Sequence, residues 1–104
     1  MSRCILTPEA QDDLRGIRAY LVAEAGPRVA RYVIGAFVDA FRSLAKMPGQ
    51  GHRREDLTSD ETLLFWPVFS CLIVYRRESK VTAVVAILHG SRDVRSVLHQ
   101  RQPG

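Results

Sequence analysis

The hydrophobic period changes once along this chain, and that change constrains the fold more than any single motif. From residue 8 to 46 apolar residues recur at helical spacing; from 63 to 88 they run in short unbroken blocks. Ala10, Leu14, Ile17 and Leu21 fall three or four residues apart, with Asp12, Asp13, Arg15 and Arg18 elsewhere on the wheel. This spacing predicts an amphipathic helix over 8–24. Thr7 is placed to cap it, and Pro8 sits at the first helical position, where no intrahelical N–H is lost. Gly26-Pro27 ends it, and Pro27 opens a second helix over about 27–46. Val29, Val33, Phe37 and Leu44, with Ala30, Ala36, Ala40 and Phe41, give that helix a broad apolar face. Met47-Pro48-Gly49-Gln50-Gly51 stops it. Two long helices joined by so short a turn predict an antiparallel hairpin.

Strands flank the hairpin. Cys4-Ile5-Leu6 is a short apolar run ahead of it. Beyond the polar stretch from His52 to Glu61, Leu63-Leu64-Phe65-Trp66 reads as a strand that Pro67 ends or interrupts. Cys71 to Tyr75 and Val81 to Leu88 read as strands joined by a polar reversal over Arg76 to Lys80. Their unbroken apolar runs predict burial on both faces. The expected architecture is α+β: an N-terminal strand, an antiparallel helix hairpin, then a three-stranded antiparallel unit, forming one small sheet packed on the hairpin.

At 104 residues, 46% hydrophobic and 25% charged, the composition excludes a disordered chain and predicts one domain over 1–104, fraying from about residue 100. No apolar run approaches the ~20 residues of a membrane span, and Met1 to Leu6 lacks a signal-peptide core. Cys4 and Cys71 make neither a disulfide framework nor a metal-ligand pair. A cytoplasmic protein with reduced thiols is expected, with no membrane partner.

Fifteen basic residues face eleven acids, for a formal charge of +4. From residue 76 onward Arg76, Arg77, Lys80, Arg92, Arg95 and Arg101 face only Glu78 and Asp93. A basic C-terminal segment points to an anionic partner or to ordinary solvation. Catalytic motifs do not emerge. His52, His89 and His99 show no zinc spacing, Cys71 lies inside an apolar strand, and the serines lack a nucleophile-elbow context. Gly49 and Gly51 follow a helix, the wrong order for a phosphate loop. No metal site, cofactor or catalytic residue is expected. His89, Arg92 and Arg95 fall where the last strand runs out; His89 and Arg92 could hold a phosphate or carboxylate, or Arg92 could pair with the neighbouring acids.

Five segments, in order, resemble the ParE-type toxins of the RelE/ParE toxin–antitoxin superfamily. They are Leu6-Thr7-Pro8-Glu9-Ala10-Gln11-Asp12-Asp13-Leu14, the helix end Phe41 to Gly51, Trp66-Pro67-Val68, Leu72-Ile73-Val74-Tyr75-Arg76, and Ile87-Leu88-His89-Gly90-Ser91-Arg92-Asp93. The resemblance spans residues 5–98. RelE-like members cleave ribosome-bound messenger RNA with basic residues on the sheet and a C-terminal tyrosine. This chain has Leu63, Phe65, Leu72 and Leu98 at those places, and only Arg92 matches. Leucine can neither move a proton nor stabilise a phosphorane. The resemblance therefore implies a non-enzymatic, ParE-like inhibitor of DNA gyrase and replication, neutralised by a ParD-like antitoxin. Operator DNA is expected to be reached only through that antitoxin, in a toxin–antitoxin hetero-oligomer. His89, Arg92, Asp93 and Arg95 are the expected target-binding residues, and Tyr20, Tyr32 and Phe41 the expected antitoxin-binding ones. A RelE-like endoribonuclease and a non-toxic antitoxin-binding module are the alternatives. One departure stands out: relatives often carry Gly-Arg where this chain has Phe69-Ser70.

Overall fold

The computed structural model describes residues 3–89 and 94–101. Eight elements follow in order: β1 (Arg3–Leu6), α1 (Pro8–Ala25), α2 (Pro27–Lys46), a single 3-10 turn (Pro48–Gln50), β2 (Leu64–Val68), β3 (Cys71–Glu78), β4 (Val81–His89) and α3 (Val94–Arg101). The four strands form one sheet in the order β1-β4-β3-β2. The β2–β3–β4 unit is antiparallel, and β1 joins it parallel to β4. The α+β reading holds, with the sheet mixed because the helix hairpin carries the chain back to the same end.

Local chemistry sets the helix ends. Thr7 Oγ1 accepts the Ala10 N–H at 3.2 Å and Pro8 occupies the first turn, so α1 begins where the sequence places it. Gly26 lies at φ 90°, ψ 165°, a conformation open essentially to glycine alone. Its N–H bonds Val22 O at 3.0 Å and its own carbonyl accepts from Ala30 at 3.1 Å. One residue thus closes α1 and opens α2.

The sheet is buried on both faces, as its apolar runs predict. On one face Phe37, Ala40 and Leu44 of α2 and Ala10 of α1 pack on Cys71, Ile73, Tyr75, Val84 and Ile87. On the other, Val94 and Leu98 of α3 pack on Leu63, Phe65, Val74, Ala86 and Leu88. A β-bulge at Val74/Tyr75 shifts the β3–β4 register. The buried Thr82 hydroxyl donates to Leu44 O at 3.3 Å and ties β4 to the end of α2.

Three details differ from the sequence reading. β2 continues through Pro67 to Val68, because β2 is an edge strand and a missing N–H is tolerated there. Its outer edge is met by His52, which exchanges two backbone hydrogen bonds with Phe65, of 2.8 and 2.7 Å. Helix α3 supplies the second cover of the sheet and was not expected. It runs through Arg101, where the sequence reading has the chain begin to fray, because Val94, Leu98 and Arg101 all find partners on the sheet or α1.

Burial also sets the thiol chemistry. It pushes the Cys4 thiol up to about 11 and raises that of Cys71. At pH 8 both should alkylate with iodoacetamide far more slowly in the native protein than in urea. Equal rates, measured by mass spectrometry, would refute their burial.

Candidate functional site

The apolar stripe of the helix hairpin outruns the sheet beneath it. On α2, Phe37 and Leu44 are fully buried, Val33 is half-buried and Val29 is exposed. On α1, Ala10 is buried while Ile17 and Leu21 are only half-covered. Cover therefore thins toward the Gly26 tip of the hairpin, although Ala30 stays buried, and a groove of about 670 Å³ opens on this side. Ile17, Leu21, Val33, Cys71 and Ile87 form its apolar lining, and Asp12, Asp13, Ser70 and His89 add polar groups.

Aromatic side chains stand around this groove. Tyr20 is 58% exposed and Phe69 is 62% exposed, and both line it. Tyr32, 71% exposed, stands beside Phe69 with ring centroids 6.1 Å apart. Tyr20 meets the His89 ring at 6.4 Å, and Ser70 Oγ lies 3.4 Å from His89 Nε2. Among the described residues the exposed aromatic side chains are these three. Phe69 adopts φ 54°, the left-handed region that glycine occupies freely and a bulky residue occupies at a cost of about 1–3 kcal/mol. Glycine, which the resemblance leads one to expect here, is the residue that this turn's backbone favours. Here strain is retained and a large ring is set on the rim.

At the deep end of the groove Asp13 is 6% exposed at its side chain. Its carboxylate accepts the Ile87 N–H at 2.9 Å and binds both guanidinium nitrogens of Arg101, at 2.5 and 2.9 Å. Arg101 also donates to Val85 O at 3.3 Å. β1 pairs with β4 only as far as Val84, so Asp13 and Arg101 satisfy the β4 edge beyond it. The sequence signal for this pair was faint: an Asp in a helix and an Arg near the C-terminus, 88 residues apart.

The expected site residues separate. Tyr20 and Tyr32 are exposed at the groove, whereas Phe41 is half-buried against the core, 6.3 Å from the Phe37 ring. His89 belongs to the groove. Arg95 lies on α3, across the sheet, where it donates to Asp56 O and lines a second concavity of about 300 Å³ with Glu55, Thr58 and His99. His89 and Arg95 thus do not form one surface. Arg92 and Asp93 lie outside the described residues. Sequence reasoning missed Phe69 as a groove residue; its only signal was the departure from glycine. Among the described residues no group of three or more His, Cys, Asp or Glu could hold a metal ion, and no helix is long and apolar enough to cross a membrane.

A small mixed sheet carrying a helix hairpin on one face is an α+β fold found in solved structures. A solved chain described as the chromosomal ParDE TA system from P. aeruginosa shares it, with a TM-score of 0.73 at 20% identity, over 86% of this chain and 96% of that one. The family described as ParE toxin of type II toxin-antitoxin system, parDE, matches residues 4–94. The chain belongs to the ParE toxin family. No curated protein matches it.

Proposed function

We propose that this protein is a cytoplasmic, non-enzymatic toxin that inhibits DNA gyrase, and that its cognate ParD-like antitoxin neutralises it by laying an amphipathic segment along the aromatic-rimmed groove. The observation that carries the antitoxin site is the groove itself, where helix stripes stay uncovered beneath three exposed aromatic rings. A partner helix with anchors at i, i+3/4 and i+7 would complete the stripe. Aromatic rims of this kind supply much of the binding energy in small interfaces.

One observation supports a non-enzymatic mode. Leu98 of α3 is buried with Leu63 and Phe65, and Leu72 packs beside them, at the places where the resemblance puts the catalytic groups of RNA-cleaving members. Hydrocarbon there supplies neither a general base nor charge for a phosphorane. We assign the target contact to His89 at the groove and Arg95 on α3, together with Arg92 and Asp93, which lie outside the described residues. Inhibited supercoiling by purified gyrase with undisturbed translation in an extract is the expected result. Blocked translation with normal supercoiling would overturn the gyrase assignment.

Phe69 tests the groove. Phe69→Gly should raise stability by about 1 kcal/mol, since glycine adopts the turn without strain. It should also weaken binding of a ParD-like antitoxin at least tenfold by calorimetry. Unchanged affinity would remove Phe69 from the interface. Gly16 gives a second handle: it lines the groove on α1, and an added Cβ would meet nothing within 4 Å. Gly16→Leu should leave the protein folded and fill the groove, blocking the antitoxin.

A further inference from the structure

The basic residues do not gather at one C-terminal surface, and where the uncommitted ones lie is informative. Arg76 faces Glu78 at 2.9 Å as an ion pair without hydrogen-bond alignment, and Arg101 is bound to Asp13. Arg95 is held by Asp56 O on α3. Among the described residues of the C-terminal segment Arg77 and Lys80 remain, at the β3–β4 hairpin, and two cations from distant parts of the chain join them. The Arg3 N–H bonds Lys80 O, and Arg3 pairs in register with Val81. Arg77 pairs with Thr82, whose hydroxyl bonds Leu44 O, two residues before Lys46 at the end of α2. Arg3, Lys46, Arg77 and Lys80 are all exposed, and among the described residues none takes part in an ion pair.

We infer that this end of the sheet, Arg3, Lys46, Arg77 and Lys80, is a docking surface for the phosphate backbone of duplex DNA. The eight residues of β3 place it about 25 Å from the groove, so it is a separate surface and does not rest on the gyrase or antitoxin reading. The nearby acids Glu78 and Asp39 already face Arg76 and Arg42, which leaves four positive charges uncompensated. The α2 C-terminus offsets only about half a charge. A protein partner would call for aromatic anchors above all; Met47 and Ile5 are exposed near this cluster, but the exposed tyrosine and phenylalanine rings are all at the groove end. Lysine and arginine without such anchors are what phosphate contacts use. Shape favours B-form DNA: a two-stranded hairpin tip fits between the phosphate rims of its ~12 Å major groove, whereas the A-form major groove is too narrow to admit it.

Fluorescence anisotropy with a labelled 20-base-pair DNA duplex tests this. Four phosphate contacts predict a log–log salt slope near −3.6, so affinity should fall roughly 100-fold between 50 and 200 mM KCl. Replacing all four residues with glutamine should abolish most binding at 50 mM, and Arg77→Gln or Lys80→Gln alone should reduce the slope by about 1. The triple variant Arg18→Gln, Arg28→Gln, Arg31→Gln removes charge from the helix hairpin instead and should keep the slope. Absence of DNA binding by the unaltered protein at 50 mM would overturn the inference, as would equal losses in the two multiple variants. Tighter binding of a double-stranded RNA or of polyglutamate than of DNA would also overturn it.

Discussion

Gly51→Ala should destabilise the protein by about 3 kcal/mol, although it adds one methyl group to a loop. A Cβ on Gly51 would lie 2.9 Å from two ring carbons of Tyr75 and closer still to its hydroxyl. That ring is fully buried and cannot retreat without disturbing the sheet. Its hydroxyl accepts the Gly51 N–H at 2.9 Å and donates to Pro48 O at 2.6 Å, so it closes the loop between α2 and β2. Overpacking costs about 1–3 kcal/mol, and displacing the hydroxyl adds the cost of unpaired loop groups. Tyr75→Phe should cost about 1–2 kcal/mol by losing those bonds alone. In the double variant the closest clash, with the oxygen, is gone while the two ring-carbon contacts at 2.9 Å remain. The methyl still costs something, but the two single losses should sum to more than the double variant loses. Additive losses in urea unfolding would show that the ring and loop are not in contact.

Helix starts, the hairpin and the strand order of the antiparallel unit were legible because each rests on local chemistry: a capping threonine, prolines at first turns, Gly26, and period. Helix α3 was not, although the sequence carries a hint of it. Strands buried on both faces need two covers, and the hairpin supplies one. Val94, Leu98 and Arg101 have helical spacing, but an eight-residue helix has little intrinsic stability. It exists through contacts with residues far away in sequence, which spacing alone does not reveal.

The candidate site was half legible for a related reason. Tyr20 and Tyr32 are aromatic residues on a helix hairpin, and sequence alone leaves core and surface roles equally open. Phe41 shows the other outcome, packed beside Phe37. The charge pattern shows how order along the chain differs from order in space. A basic C-terminal third is continuous along the chain but not in space, because β4 separates the hairpin bearing Arg77 and Lys80 from the helix bearing Arg95 and Arg101. Ion pairing then removes some of those charges from the surface.

Asp13→Ala should cost about 3–5 kcal/mol, the range for removing one partner of a buried ion pair. The loss has two parts. Arg101, only 22% exposed at its side chain, loses its counter-charge, and the Ile87 N–H loses its acceptor at the uncovered edge of β4. Asp13→Asn should cost less, since an amide oxygen can still accept from Ile87. Arg101→Ala should fall between the two, because Asp13 then keeps the Ile87 bond. A double-mutant cycle on Asp13 and Arg101 should give a coupling of at least 1 kcal/mol. Hydrogen exchange supplies the discriminating readout. If the pair pins α3 to the β4 edge, both single variants should speed amide exchange in residues 94–101 while β3 stays protected. Uniform acceleration across the sheet would mean that Asp13 stabilises the whole fold and that α3 has no dedicated latch. Since Asp13 also lines the deep end of the groove, its replacement by asparagine should weaken antitoxin binding less than Phe69→Gly does, because the carboxylate is already committed to Arg101.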